Sequence, residues 1–129
     1  MAIRIVRLGT PRAPGEGLRL GTVRRPPRGV RKEDYASGDH FDLWLPDLAP
    51  TAPLVSWALS QPFTDQRWKH FARRYRAEMR KPAARRLISL LAALSGGTDF
   101  SVGCYCADES HCHRSPLRDL LIEAGAVVG

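Results

Sequence analysis

Between Phe100 and Leu117 the chain runs F-S-V-G-C-Y-C-A-D-E-S-H-C-H-R-S-P-L. Its first seven residues are a small or apolar run between turn signals, which predicts a strand over Phe100–Cys106 that is covered on both faces. A polar loop follows. Ser115-Pro116 then predicts a helix start, with serine as the N-cap and proline at the first helical position. A buried strand that feeds a helix requires a sheet with helices packed on it. In such sheets ligands collect beyond the strands' carboxyl ends, beside helix N-termini. The same stretch holds all three cysteines, Cys104, Cys106 and Cys112, together with His111, His113 and Arg114.

The remaining elements follow from periodicity. Ala2–Leu8 alternates isoleucine with arginine and predicts a strand. Leu18–Val23 predicts a second, with Leu18 and Leu20 on one face. Arg24-Arg-Pro-Pro-Arg-Gly29 cannot continue it, because consecutive prolines remove ladder donors. Glu33–Ser60 is irregular, with Phe41, Trp44, Leu45 and Leu48 as core anchors and a short helix over Pro53–Leu59 capped by Thr51. A longer helix runs from Thr64 to about Arg80. Its Trp68, Phe71, Ala72, Tyr75 and Met79 form one buried stripe, and Arg67, Arg73, Arg74, Arg76 and Arg80 a solvated face. Pro82 opens another helix with a Leu87, Leu90, Leu91, Leu94 stripe, ended at Gly96-Gly97. A last helix spans Pro116 to about Glu123. The prediction is a small single α/β domain over residues 1–129, with a roughly three-stranded, mostly parallel sheet and helices packed on it. A right-handed crossover would set the final strand parallel to a neighbour.

Charge is distributed in blocks: residues 1–32 carry +8, residues 33–66 carry −6 and residues 67–86 carry +8. Such blocks fit either a polyanion surface or basic and acidic segments packed against each other. Nucleic acid is therefore an alternative partner, although few aromatics interleave with the basic runs. No apolar run approaches the roughly 18 residues of a membrane span, so no membrane partner is expected. The opening M-A-I-R-I-V-R lacks a signal-peptide core, and three cysteines is an odd number. Reduced thiols and a cytoplasmic location are the expectation.

Three chemistries compete for the stretch after Phe100. Cys104, Cys106 and Cys112 are nominal metal ligands, but C-x-C followed by x5-C departs from the C-x2–4-C knuckle of zinc sites. No metal and no cofactor is expected on that spacing, and Cys104 and Cys106 read as small buried hydrophobes. Cys112, beside His113 and Arg114, is a candidate thiol nucleophile, with Cys106 behind it. The favoured reading is an anion pocket. Arg114 and Ser115 at the helix start, joined by Arg24 and Arg28 from the second strand's end, would hold a phosphate- or carboxylate-bearing small molecule. The bland counterpart has Arg114 paired with Asp108, Glu109 or Asp119.

Five segments resemble motifs of the YeaO-like proteins, a bacterial family of domain of unknown function 488. Ile3–Arg7 resembles the family's opening strand, and Thr22-Val-Arg-Arg-Pro-Pro-Arg-Gly29 its V-D-R-x-W-P-R-G segment. Asp47-Leu-Ala-Pro-Thr51 is similar to D-L-A-P-S, Arg73-Arg-Tyr-Arg-Ala-Glu78 to R-R-Y-x-x-E, and Cys112-His-Arg114 to C-H-R. The resemblance implies a small α/β domain in a bacterial cytoplasm and implies no reaction. It places Arg24, Pro27, Arg28, Gly29, His113 and Arg114 on motif positions. Val23 and Pro26 depart from the usual aspartate and tryptophan. Another branch carries Asn/His in place of the cysteines, which implies that a thiol nucleophile is not obligatory across the family.

Overall fold

The computed structural model describes residues 2–129; Met1 lies outside them. Among these residues the strands are β1 (Ile3–Arg7), β2 (Leu18–Gly21), β3 (Leu43–Trp44) and β4 (Phe100–Cys104). The helices are α1 (Ala52–Leu59), α2 (Asp65–Glu78), α3 (Pro82–Leu94) and α4 (Arg114–Glu123). The strands form one parallel sheet in the order β1-β4-β2-β3. A strand flanked on both edges and covered on both faces has room only for small or apolar side chains, and all five residues of β4 are buried. Pairing ends at Cys104, two residues before the predicted end. At Gly103 a Cβ would come within 2.7 Å of Leu8 Cδ2 and 2.9 Å of the Val6 carbonyl oxygen, so the missing side chain is what lets β1 approach.

β2 departs from its predicted pattern. Leu20 is buried as expected, but Leu18 stands at the sheet's rim and is 61% exposed. Arg19, between them, points to the opposite face and is fully buried. Its guanidinium forks onto Glu16, with Nε to Oε2 at 2.8 Å and Nη2 to Oε1 at 3.0 Å. Nη1 donates to the carbonyl oxygens of Thr10 and Asp39. Ser101 and the Ala13 amide also donate to Glu16. Every charged atom of this buried pair is satisfied, which is the condition for tolerating it. Arg12 pairs with Asp42 at 2.8 Å, so the basic first block and the acidic second block do meet in the fold.

Helices cover one face of the sheet. Thr64 caps α2 by accepting from the Arg67 amide; of the predicted stripe Phe71, Tyr75 and Met79 are buried, and Trp68 and Ala72 half-buried. Arg67 is not part of the solvated face. It lies half-buried with its guanidinium carbon 4.1 Å from the Trp57 ring centroid. In α3 the buried stripe is Ala84, Ile88 and Leu91, continued by Ser95, whereas Leu90 and Leu94 are exposed. The leucine stripe predicted there is thus rotated: small alanines let the helix lie close, and two of the leucines fall on the outer side. Ile3, Leu20, Leu48, Tyr75, Val102 and Leu117 form the centre of the main core. A second, smaller cluster of Leu8, Val23, Phe41, Cys104 and Cys112 sits at the carboxyl edge of the sheet.

Candidate functional site

The carboxyl edge of β2 and β4 opens into a cleft of about 520 Å3. One wall is apolar, from Val55, Ala58 and Leu59 of α1 with Phe63 and Phe71. The other comes from Val23, Arg24, Arg25 and Arg28, which continue β2. The base is made by Cys104, Cys106, His111, Cys112 and His113. The location follows from the topology, because parallel strands ending side by side leave a crevice that their following loops line.

The three sulfurs converge. Cys104 and Cys112 are buried and Cys106 is exposed, all three are free thiols, and their Sγ atoms lie within 4.8 Å of one another. Cys104 Sγ and Cys106 Sγ are 3.7 Å apart. The convergence is imposed from outside the strand. After Cys106 the chain makes a short 3-10 turn at Glu109–His111, where Asp108 accepts from the Ser110 amide, and returns Cys112 to the strand end. Arg114 then fastens the loop, with Nη1 donating to the Val6 carbonyl at 2.8 Å and Nη2 to the Cys106 carbonyl at 2.5 Å.

Three thiols this close do not titrate independently. Contacts with the Cys104 and Cys106 thiols, and then with His113, hold Cys112 far below the ordinary thiol range despite burial. Cys104 is pushed up by its contacts with Cys106 and Cys112 and by burial. Hydrogen bonding with Cys104 draws Cys106 down, but Cys112 and burial outweigh it and raise this thiol too. His113 Nε2 donates to the Thr22 carbonyl oxygen at 2.6 Å, which turns Nδ1 toward Cys112 Sγ at 3.8 Å. The Thr22 hydroxyl in turn donates to the Gly103 carbonyl, tying the ring to β4.

The predicted anion residues are not gathered in one place. Arg24 lines the cleft, but its Nε donates to the Pro50 carbonyl and its Nη2 to the carbonyls of Pro46 and Ala49. Arg114 is buried and holds carbonyl oxygens rather than Asp108, Glu109 or Asp119. Ser115 is not the cap: α4 starts at Arg114, and the Ser115 amide donates to the Cys112 carbonyl. Ser115 lines a separate depression with Asp108, Glu109, Arg118 and Asp119. Arg28 is exposed on the rim of the cleft, and so is Arg25, which the same loop brings to the strand end but which is not among the expected anion ligands. Arg25 carried a readable signal, since it belongs to the same Arg24–Gly29 loop. The sequence offered the three sulfurs as nominal ligands and their spacing argued against a knuckle; the structure brings them together all the same.

Residues 3–125 match the family model DUF488-N3a, described as the active DUF488-N3 subclade. Similar curated proteins include uncharacterized protein Rv3073c of Mycobacterium tuberculosis and uncharacterized protein Mb3100c of Mycobacterium bovis. Each is 34% identical over 82 residues, which is 64% of this chain and 64% of the relative. The matched segment therefore spans just under two thirds of those proteins. No solved structure matches the chain.

Proposed function

Because the chain belongs to the DUF488-N3a family, described as an active subclade, we propose that it takes an anionic small molecule into the cleft at the sheet's carboxyl edge. Arg25 and Arg28 hold the phosphate or carboxylate at the rim, and the reacting part of the molecule lies over Cys104, Cys106 and Cys112. One observation carries this reading. A single cleft combines two exposed guanidiniums with a cluster of sulfurs, and among the described residues no hydrogen bond or ion pair occupies either guanidinium. Apolar walls with a few convergent polar groups suit a ligand of small-molecule size.

Titrating inorganic phosphate, a phosphomonoester and a dicarboxylate into the reduced protein tests it. A charge-assisted hydrogen bond is worth about 1.5–3 kcal/mol, so Arg28→Ala or Arg25→Ala should weaken binding by roughly 10–100-fold. Equal affinity in the wild type and the double variant would overturn the reading.

A second reading, nucleic-acid binding, is favoured by the exposure of Arg73, Arg74, Arg80, Lys81, Arg85 and Arg86 across α2 and the start of α3. It requires binding of a duplex or single strand that falls steeply as salt rises. No binding at low salt removes it.

A further inference from the structure

A tetrahedral zinc–thiolate centre has bonds of about 2.3 Å, which places its sulfurs about 3.8 Å apart. Cys104 Sγ and Cys106 Sγ are 3.7 Å apart, and Cys112 Sγ completes a triangle within 4.8 Å. We infer that the three sulfurs form a metal site for a thiophilic cation of the zinc type, with its fourth position open to the cleft. The C-x-C-x5-C spacing argued against a zinc knuckle, but a knuckle is only one way to aim sulfurs inward. Here a strand end, a turn and a buried arginine do the aiming.

The surroundings fit such an ion. Cys104 and Cys112 are buried, which holds two ligands rigid, while Cys106 is exposed and gives a path of entry. Three thiolates around a divalent cation leave one net negative charge. Arg114, 3% exposed, brings its positive charge to the Cys106 carbonyl beside them. His113, fixed by Thr22, touches Cys112 from the second shell of groups that sets ligand orientation. Three protein ligands with one position facing a cleft is the arrangement of catalytic rather than structural zinc sites. Thiolates also select zinc over magnesium, calcium or manganese. The inference deepens the cleft reading, since the open position faces the proposed substrate. It also takes Cys112 away from service as a free nucleophile.

The test is titration of reduced full-length protein with cobalt(II), followed by displacement with zinc and elemental analysis. One equivalent of cobalt should bind, with thiolate-to-cobalt charge-transfer absorption and the visible bands of a tetrahedral site. Zinc should displace it and protect all three thiols from a thiol reagent. Cys106→Ser, at the exposed position and checked for native circular dichroism, should weaken binding by more than the roughly 10–100-fold that loss of an outer partner costs. Arg25→Ala with Arg28→Ala should leave metal binding unchanged, so a failed anion titration and a failed metal titration are separate results. The absence of stoichiometric uptake overturns the inference, as does cobalt bound without the thiolate signature. Rapid alkylation of Cys112 alone in the presence of zinc does the same and points to the nucleophile.

Discussion

Cys104 Sγ lies 3.7 Å from Cys106 Sγ, although side chains two residues apart on a regular strand stand nearly 7 Å apart along it. The difference measures how sharply the chain leaves β4 after Cys104. Arg114 makes that departure permanent, because it binds the Cys106 carbonyl on one side and the Val6 carbonyl on the other. Replacing Arg114 by Ala should strand two carbonyls and open a void. A loss on the order of 3 kcal/mol is expected in urea denaturation, together with faster modification of Cys106. Arg114→Lys, with one ammonium for two diverging acceptors, should recover only part of it.

Falling pH should draw stability from the Glu16–Arg19 pair. Arg19, then Ser101 and the Ala13 amide, hold the Glu16 carboxyl at about 2 against the effect of burial, from an ordinary 4.5. A lowered folded-state value means that the stabilisation is complete above the unfolded value and is lost as pH falls from about 4.5 toward 2. The contribution is on the order of 3 kcal/mol. Glu16→Gln should lower the melting temperature at neutral pH and flatten its fall between pH 4.5 and 2, as read by thermal melts across that range.

Gly17 cannot carry a side chain. Its φ is +77°, and a Cβ would run into the carbonyl oxygen of Asp99 at the entry to β4. The left-handed conformation alone costs a non-glycine residue about 1–2 kcal/mol. Gly17→Ala should exceed that and reduce the urea midpoint. Gly15→Ala, at φ +73° with open space around it, should stay near the conformational cost alone.

Orientation of α3 can be read from paired substitutions. Ile88→Ala removes a buried side chain and should cost about 2–5 kcal/mol. Leu90→Ser, at a position 54% exposed, should fall within about 0.5 kcal/mol of the wild type. Equal losses at both positions would mean that the leucine stripe, not the alanine-rich one, faces the core.

Three of the four strands and the helices were legible because their signals are local, whereas the two-residue β3 falls in the segment read as irregular. The F-S-V-G-C run marks a strand closed in on every side, and Phe71, Tyr75 and Met79 repeat at helical spacing. Legibility failed where a side chain answers to a distant partner. Nothing in the Leu18–Val23 alternation speaks for a buried Arg19, and its partner Glu16 lies outside the strand, three residues earlier. Arg24 and Arg114 looked free to bind anions, but carbonyl oxygens from separate loops claim them. Pro116 misplaced the start of α4, since a missing amide is harmless anywhere in a first turn and does not single out the first position. The motif resemblance, by contrast, named the right family across nearly the whole chain.

β4 joins β1 to β2, and it is also the last strand to leave the ribosome. A nascent chain that has emerged as far as Leu94 can form its helices by near-neighbour contacts, but β1 has no partner to pair with. Unpaired strands of this kind are where association between copies begins, and distant pairings are slow to form. The cleft shares that timing. Phe100–Cys104 must dock before Cys104 and Cys106 can face Arg25 and Arg28, so sheet and site arise in one event. No shorter intermediate carries half a site.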